Sequence, residues 1–345
     1  MKRKNPIILL FLLIALSWSF DMEAQRRRRP YGKQRKKISS YRGGRSNYGG
    51  RGASQYSTVG FSINAMNYFG DITPAPSRFS TDYSFTRAGF GITYSRVIHS
   101  QAAIRAGLNY GTLTADDVNT DPTDPEGLGR YQRNLHFRNT ILEFSLGFEL
   151  NLIPNNGGVN NRFPLNPYLF LGAAIFRHNP QAIAPETDLN GNPLPQGGEW
   201  VDLQPLGTEG QNLGGDNPSP YSLIQFAIPI GIGVKVRLPS NFDANIEIGF
   251  RRLFTDYLDD VSTTYPDLEQ ITDPLTRALS NRSFETTAAQ TGEPRAAEFI
   301  GNNYSAGGIR GGETKDLYVV TQLRLVYIIS NGNRNRGRTR RAKFR

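Results

Sequence analysis

Residues 226–250 read FAIPIGIGVKVRLPSNFDANIEIGF. Every second position from Phe226 is apolar, through Ile228, Ile230, Ile232 and Val234 to Val236. Between them stand Ala227, Pro229, Gly231 and Gly233, then Lys235 and Arg237. Pro239-Ser240-Asn241 breaks the run. Beyond it Phe242, Ala244, Ile246, Ile248 and Phe250 take one face, with Asp243, Asn245, Glu247, Gly249 and Arg251 on the other. Period 2 on both sides of a tight turn is the pattern of an antiparallel hairpin. Each arm carries about ten alternating residues. That matches a tilted membrane-crossing strand of about 9–11 residues and exceeds the roughly 5–6 usual in soluble sheets. Taken alone, the hairpin also fits half of a soluble sandwich with one wet face.

The surrounding chain separates the two readings. Six more alternating stretches occur at 58–69, 85–97, 102–110, 135–151, 168–177 and 316–329. The second sets Ala88, Phe90, Ile92 and Tyr94 against Arg87, Gly89, Gly91 and Thr93. The fifth alternates two apolar sets, Leu169, Leu171, Ala173 and Ile175 against Tyr168, Phe170 and Phe176, so its outward face stays open. The total is eight strands, joined by connections that run long, short, long, moderate, long, short, long. A soluble sandwich has no reason to send its long loops to one end. An eight-stranded antiparallel transmembrane β-barrel does, with short periplasmic turns and long extracellular loops. The all-β barrel therefore occupies 57–330.

The ends agree with export. Lys2, Arg3 and Lys4 precede an apolar run from Ile7 to Phe20, and Ala24 offers a cleavage point. This reads as a signal peptide over 1–24, since a spanning helix needs about 20 apolar residues. The net charge of +10 is unevenly held. Residues 26–51 contain eleven Lys or Arg and no acid, including Arg26, Arg27, Arg28, Arg29, Lys33, Lys36 and Lys37. Residues 331–345 contain seven more, among them Arg338, Arg340 and Arg341, again with no acid. Without these segments and the signal, 19 basic residues face 28 acidic ones. The expectation is an acidic barrel with a basic arm over 25–56 and a basic tail over 331–345. Both lie in the periplasm if the long loops are outside. Export argues against nucleic acid as their partner, leaving lipid, peptidoglycan or an acidic protein face.

Strand parity sends Arg87, Arg105, Glu143, Glu149, Lys235, Asp243, Glu247, Arg251 and Arg324 into the lumen. Eight strands enclose little space. Charges there must pair, because an isolated buried charge is very costly. The expectation is an ion-pair packing that plugs the barrel rather than a conducting pore. No nucleophile–base motif accompanies these carboxylates, and only His99, His136 and His178 could serve as imidazole ligands. Neither an enzyme nor a cofactor or metal is expected. The acidic connection at 116–126 lacks the spacing of a calcium loop. The stretch 255–262 reads as a loop start, with Asp side chains capping a turn and Tyr257 and Leu258 at the rim. Trp200 reads as an anchor for a loop folded over the barrel mouth.

Four segments carry a resemblance. They are Asn67-Tyr68-Phe69-Gly70-Asp71; Gly198-Glu199-Trp200-Val201 with 203–211; Ile228-Pro229-Ile230-Gly231; and 255–262, TDYLDDVS. Together they resemble the Bacteroidota outer-membrane barrel family that includes PorG, an accessory component of the type IX secretion and gliding machinery. The resemblance implies a non-catalytic outer-membrane protein that ties a periplasmic ring, resembling PorK and PorN, to the membrane near the translocon. The basic arms and the long loops at 116 and 263–314 depart from what such a barrel needs. A structural or small-solute barrel, or a surface adhesin, is the alternative.

Overall fold

The computed structural model describes residues 55–72, 86–155, 159, 162–300, 304–312 and 315–329. All fall within the larger of two compact units, 49–345. The signal, the basic arm as far as residue 54 and the basic tail over 331–345 lie outside the described residues.

Eight strands close a barrel. They are β1 (Ser57–Phe69), β2 (Arg87–Val97), β3 (Ala102–Asp116), β4 (His136–Asn151), β5 (Leu165–Arg177), β8 (Ile224–Arg237), β9 (Phe242–Leu253) and β10 (Leu317–Ile329). Every neighbouring pair is antiparallel. The β1–β10 ladder, from Ser57↔Ile329 to Phe69↔Leu317, joins first to last, and β3–β4 completes the circle. Two short strands, β6 (Pro180–Ile183) and β7 (Trp200–Asp202), extend from the outer part of β4 and are not in the wall. Neither is long enough to show a period in the sequence.

The alternation that defined the strands is the alternation of burial. In β9, Asp243, Asn245, Glu247, Gly249 and Arg251 point inward, while Ile246 is 53% exposed. In β5 the open parity resolves with Tyr168, Phe170 and Phe176 in the lumen and Leu169, Leu171 and Ile175 outside. Every wall strand presents such an outer apolar row, reaching 64% exposure at Phe148. An apolar belt around a closed cylinder has no place in water. It fits a bilayer, where closure also leaves no backbone edge unpaired. Aromatic rings stand at both rims: Phe242 and Tyr327 at 5.3 Å near the short turns, Tyr110 and Phe254 toward the long loops. The protein is an outer-membrane β-barrel in which β1 begins and β10 ends on the periplasmic, short-turn side.

Two local features show how the wall admits its interior. Phe170 needs Gly147 on the neighbouring strand, because a Cβ there would come 2.9 Å from its ring. Tyr168 likewise lies across Gly233, whose Cβ would meet the ring at 2.6 Å. Pro229 cannot donate to a ladder and is unexpected inside a sheet. It is accommodated because β5–β8 pairing lapses between Leu171↔Ile230 and Ala174↔Ala227, while Pro229 stays in register with Arg251 on the other side.

The third predicted strand ends too early. β3 continues to Asp116, with Leu113 and Ala115 buried, and runs beside β4 as far as Asp116↔His136. The acidic connection that follows holds a short 3-10 turn and helix α1 (Pro125–Arg133). The last long connection holds helix α2 (Pro274–Ser280), started by Asp273, whose Oδ2 accepts from Thr276 N at 2.9 Å. Leu275 and Leu279 of α2 pack on Ala182, Ala184 and Leu203, giving the outer loops a small core of their own.

Candidate functional site

Two polar constructions fill the inside of this barrel: a layered ion-pair network in the lumen and a cap made by the outer loops.

Glu247 is the hub of the inner layer. It accepts from Arg105 at 2.5 and 2.9 Å, from Arg324 Nη2 at 3.0 Å and from the Tyr168 hydroxyl at 2.7 Å. Arg105 also reaches Glu149 at 3.3 Å, and Lys235 pairs with Glu149 from the other side. The Arg105 guanidinium lies 3.6 Å from the Phe170 ring centre, a cation–π contact that fixes its plane. One layer outward, Glu143 accepts from Arg251 Nε at 3.1 Å, the Tyr318 hydroxyl at 2.6 Å and Asn109 at 2.9 Å. Gln322 and Asn64 both donate to Asn109 Oδ1. Beyond that an apolar plug takes over, with Met66, Leu113, Ile141, Phe176, Leu253 and Val320 in one cluster. At the periplasmic end Arg162 pairs with Asp243 at 3.2 Å.

Of the residues assigned to the lumen by parity, Arg105, Glu143, Glu149, Lys235, Glu247, Arg251 and Arg324 thus meet in two adjoining layers. Asp243 sits apart, nearer the periplasm. Arg87 opens β2 at the long-loop end, half-buried, with a 3.4 Å bond to the Thr86 carbonyl, and joins neither layer. Its strand parity is inward, but its height in the wall is not that of the network. Tyr168, Tyr318, Asn109 and Gln322 share that parity and were readable as partners; attention to formal charge alone passed them over. Arg162 comes from a turn, where no period could place it.

The cap ties together the described parts of all four outer loops. Arg133 holds Asp117 with Nε at 2.8 Å and donates to the carbonyls of Arg310 and Asp71. Arg310 in turn pairs with Glu209 at 3.1 Å. Glu209 accepts from the amides of Ser262 and Thr263. Asp260 accepts from the hydroxyls of Tyr221 and Thr208, each at 2.5 Å. Tyr221 and Tyr257 stack at 4.6 Å. Leu258 is buried in the apolar plug, and Asp259 Oδ1 caps the turn through Val261 N. Trp200 lies on the outer part of β4, its ring 4.0 Å from the Arg138 guanidinium carbon and 5.6 Å from His136. Three of the resemblance segments, 67–71, 203–211 and 255–262, meet in this cap.

At its centre the Tyr68 hydroxyl lies 2.6 Å from Asp259 Oδ2 and 2.8 Å from Asp316 Oδ1, while accepting from Asp71 N at 2.9 Å. A phenol has one proton and donates to one carboxylate only. The second contact closes when that carboxyl is itself protonated and donates back. Burial raises Asp259 well above the usual carboxylate range, reinforced by Asp71. Burial likewise raises Asp316, reinforced by Asp259. Burial also brings Asp260 to about 6, against the pull of Arg310. A carboxyl raised in the folded state keeps its full contribution at acid pH and loses it as pH rises toward its folded value. The cap should therefore loosen progressively above about pH 4, the unfolded carboxyl value. Amide protection of Leu258 and Val261, corrected for intrinsic exchange, is expected to fall as pH rises through about 6, the Asp260 value, by up to about tenfold per pH unit for each retained proton. Asp316→Asn, whose amide can donate to Tyr68, should flatten that dependence. Wild-type protection that held constant over this range would contradict the shared proton.

His136 Nε2 accepts from Ile183 N at 2.9 Å, and His178 stacks on Tyr221 with its pKa lowered by burial to about 4. Among the described residues no group of three or more His, Asp or Glu is placed to hold a metal ion. The basic residues expected to contact partners, Arg26 to Arg29, Lys33, Lys36, Lys37, Arg338, Arg340 and Arg341, lie outside the described residues.

Residues 50–193 match a family described as Domain of unknown function (DUF6089). No curated protein matches the chain. Solved structures with similarity include the attachment invasion locus protein Ail of Yersinia pestis in complex with the heparin analogue sucrose octasulfate, at 7% identity and TM-score 0.31, covering 80% of this chain and 97% of that one. OprG from Pseudomonas aeruginosa gives 8% identity and TM-score 0.34, with 81% and 98% covered. A major outer membrane protein from Thermus thermophilus gives 11% and 0.33, with 79% and 99% covered. The membrane assignment itself rests on barrel closure and the apolar belt.

Proposed function

We propose that this protein is a non-conducting structural barrel that holds an ordered platform at the outer surface of the outer membrane. The observation that carries this reading is the double closure: two ion-pair layers and an apolar plug cross the lumen, and the described parts of the four outer loops are bonded into one cap. Loops kept for solute entry gain nothing from buried Arg133, Arg310, Glu209 and Asp260. A surface that must meet another molecule in one shape does, because preorganisation lowers the ordering cost of binding. Full-length protein in planar bilayers is expected to give no unitary conductance. Steady open-channel steps from the wild type would overturn this reading.

A second reading keeps the barrel non-catalytic and makes it a fixture of the type IX secretion machinery. Its support is the convergence of three resemblance segments in one cap, which favours kinship with that family. The basic arms over 25–56 and 331–345 then contact a periplasmic ring resembling PorK and PorN, the translocon, or peptidoglycan. Mild-detergent pull-down from intact cells tests it. Absence of ring proteins, together with unchanged crosslinks and secretion after deletion of both arms, would count against it.

A further inference from the structure

The lumen charges do not balance. In the outward layer Arg251 meets Glu143, one for one, and near the periplasm Arg162 meets Asp243. Between them Arg105, Arg324 and Lys235 share only Glu149 and Glu247. Among the described lumen residues that layer carries one cation too many. All five side chains are buried except Lys235, whose side chain is 20% exposed. An uncompensated charge in such a setting is costly.

The excess faces a cavity. A space of about 50 Å³ lies between this layer and the periplasmic mouth, touched by Lys235, Glu149 and Arg324. A water-sized group needs about 10–15 Å³, so several such groups fit. Arg324, 2% exposed, has an Nε–H with no protein partner. The amides of Asn151 and Asn245, also buried and also lining the space, each have an unpartnered oxygen. Turned about, the Asn245 amide presents N–H instead, whereas the Asn151 amide nitrogen is held by the Gln101 carbonyl. The cavity thus combines a net positive wall with unpaired polar atoms, and it is too small for a folded partner.

We propose that this cavity is a binding site for one small monoanion, of carboxylate size, entering from the periplasm. The anion neutralises the Arg105–Arg324–Lys235 layer and accepts from Lys235 and the Arg324 Nε–H. The same chemistry is offered by a free carboxylate ion or by the carboxyl terminus of a peptide.

The test uses full-length folded protein in detergent micelles, with folding verified by its heat-modifiable gel mobility. Urea midpoints are measured at constant ionic strength while bulky 2-(N-morpholino)ethanesulfonate is exchanged for acetate. The wild-type midpoint should rise with the logarithm of acetate concentration once its dissociation constant is passed. Lys235→Gln, which removes the surplus charge, should fold and lose that rise; Lys235→Arg should keep it. Triglycine and its C-terminal amide separate the sources. Stabilisation by triglycine but not its amide identifies an accessible chain terminus; stabilisation by acetate alone identifies a free ion. No difference between acetate and the bulky anion, or an equal rise in Lys235→Gln, overturns the proposal.

Discussion

Glu247→Ala is expected to destabilise the barrel by about 3–5 kcal/mol, the range for breaking a buried pair by removing one partner. The effect is large because Glu247 serves three donors at once. Its loss leaves Arg105, Arg324 and Lys235 with Glu149 as their only carboxylate, and leaves the Tyr168 hydroxyl without its acceptor. Arg105 and Arg324 are already almost fully desolvated in the folded wall, so truncation exposes that cost without relief. Urea unfolding of the variant in lipid vesicles measures this directly. Glu247→Asp, which keeps the charge but shortens the reach, should lose less. A Glu247→Ala variant within about 1 kcal/mol of wild type would mean that solvent reaches the layer freely, and the closed-lumen reading would fail with it.

The opposite face of the same strand gives the second large effect. Ile246 stands among Val234 and Leu323 on the outer wall. Ile246→Arg should cost about 2–4 kcal/mol in a bilayer, the midplane value for a cation facing lipid. One residue along, the chain tolerates carboxylates and guanidinium groups because it faces the lumen. If Ile246→Arg were neutral in vesicles while Asn245→Leu was damaging for want of space, the depth assignment of β9 would need revising.

The wall was legible because lipid outside and a packed polar lumen inside impose period 2 on every strand, and a one-residue error exchanges the faces. The hairpin at 226–250 displays that rule without interruption, and β9 carries it from Phe242 to Leu253. Parity names a face but not a height, which is why Arg87 reads like Arg105 in sequence and stands elsewhere. The cap was legible only in fragments. Tyr68 meets Asp259 and Asp316 across 191 and 248 residues, and no local pattern announces such a meeting. The loop start at 255–262 did show a turn-capping aspartate, Asp259, but Leu258, expected at the rim, is buried in the apolar plug. Arg133, Glu209 and Arg310, whose charges bind the loops together, sit in segments with no period, and α2 is too short at seven residues to declare itself by amphipathicity.

The β1–β10 seam has a consequence in time. Its thirteen register pairs unite residues 248 to 272 positions apart, and contacts so distant in sequence are slow to form. β10 also brings Tyr318, Gln322 and Arg324 to the two lumen layers. Without that strand the other seven would leave the edges of β1 and β9 unpaired and Glu247 without its Arg324 partner. Unpaired edges of that kind invite edge-to-edge association. β10 thus couples two things in one strand: the last wall strand in the chain closes the ring and brings Arg324 to Glu247.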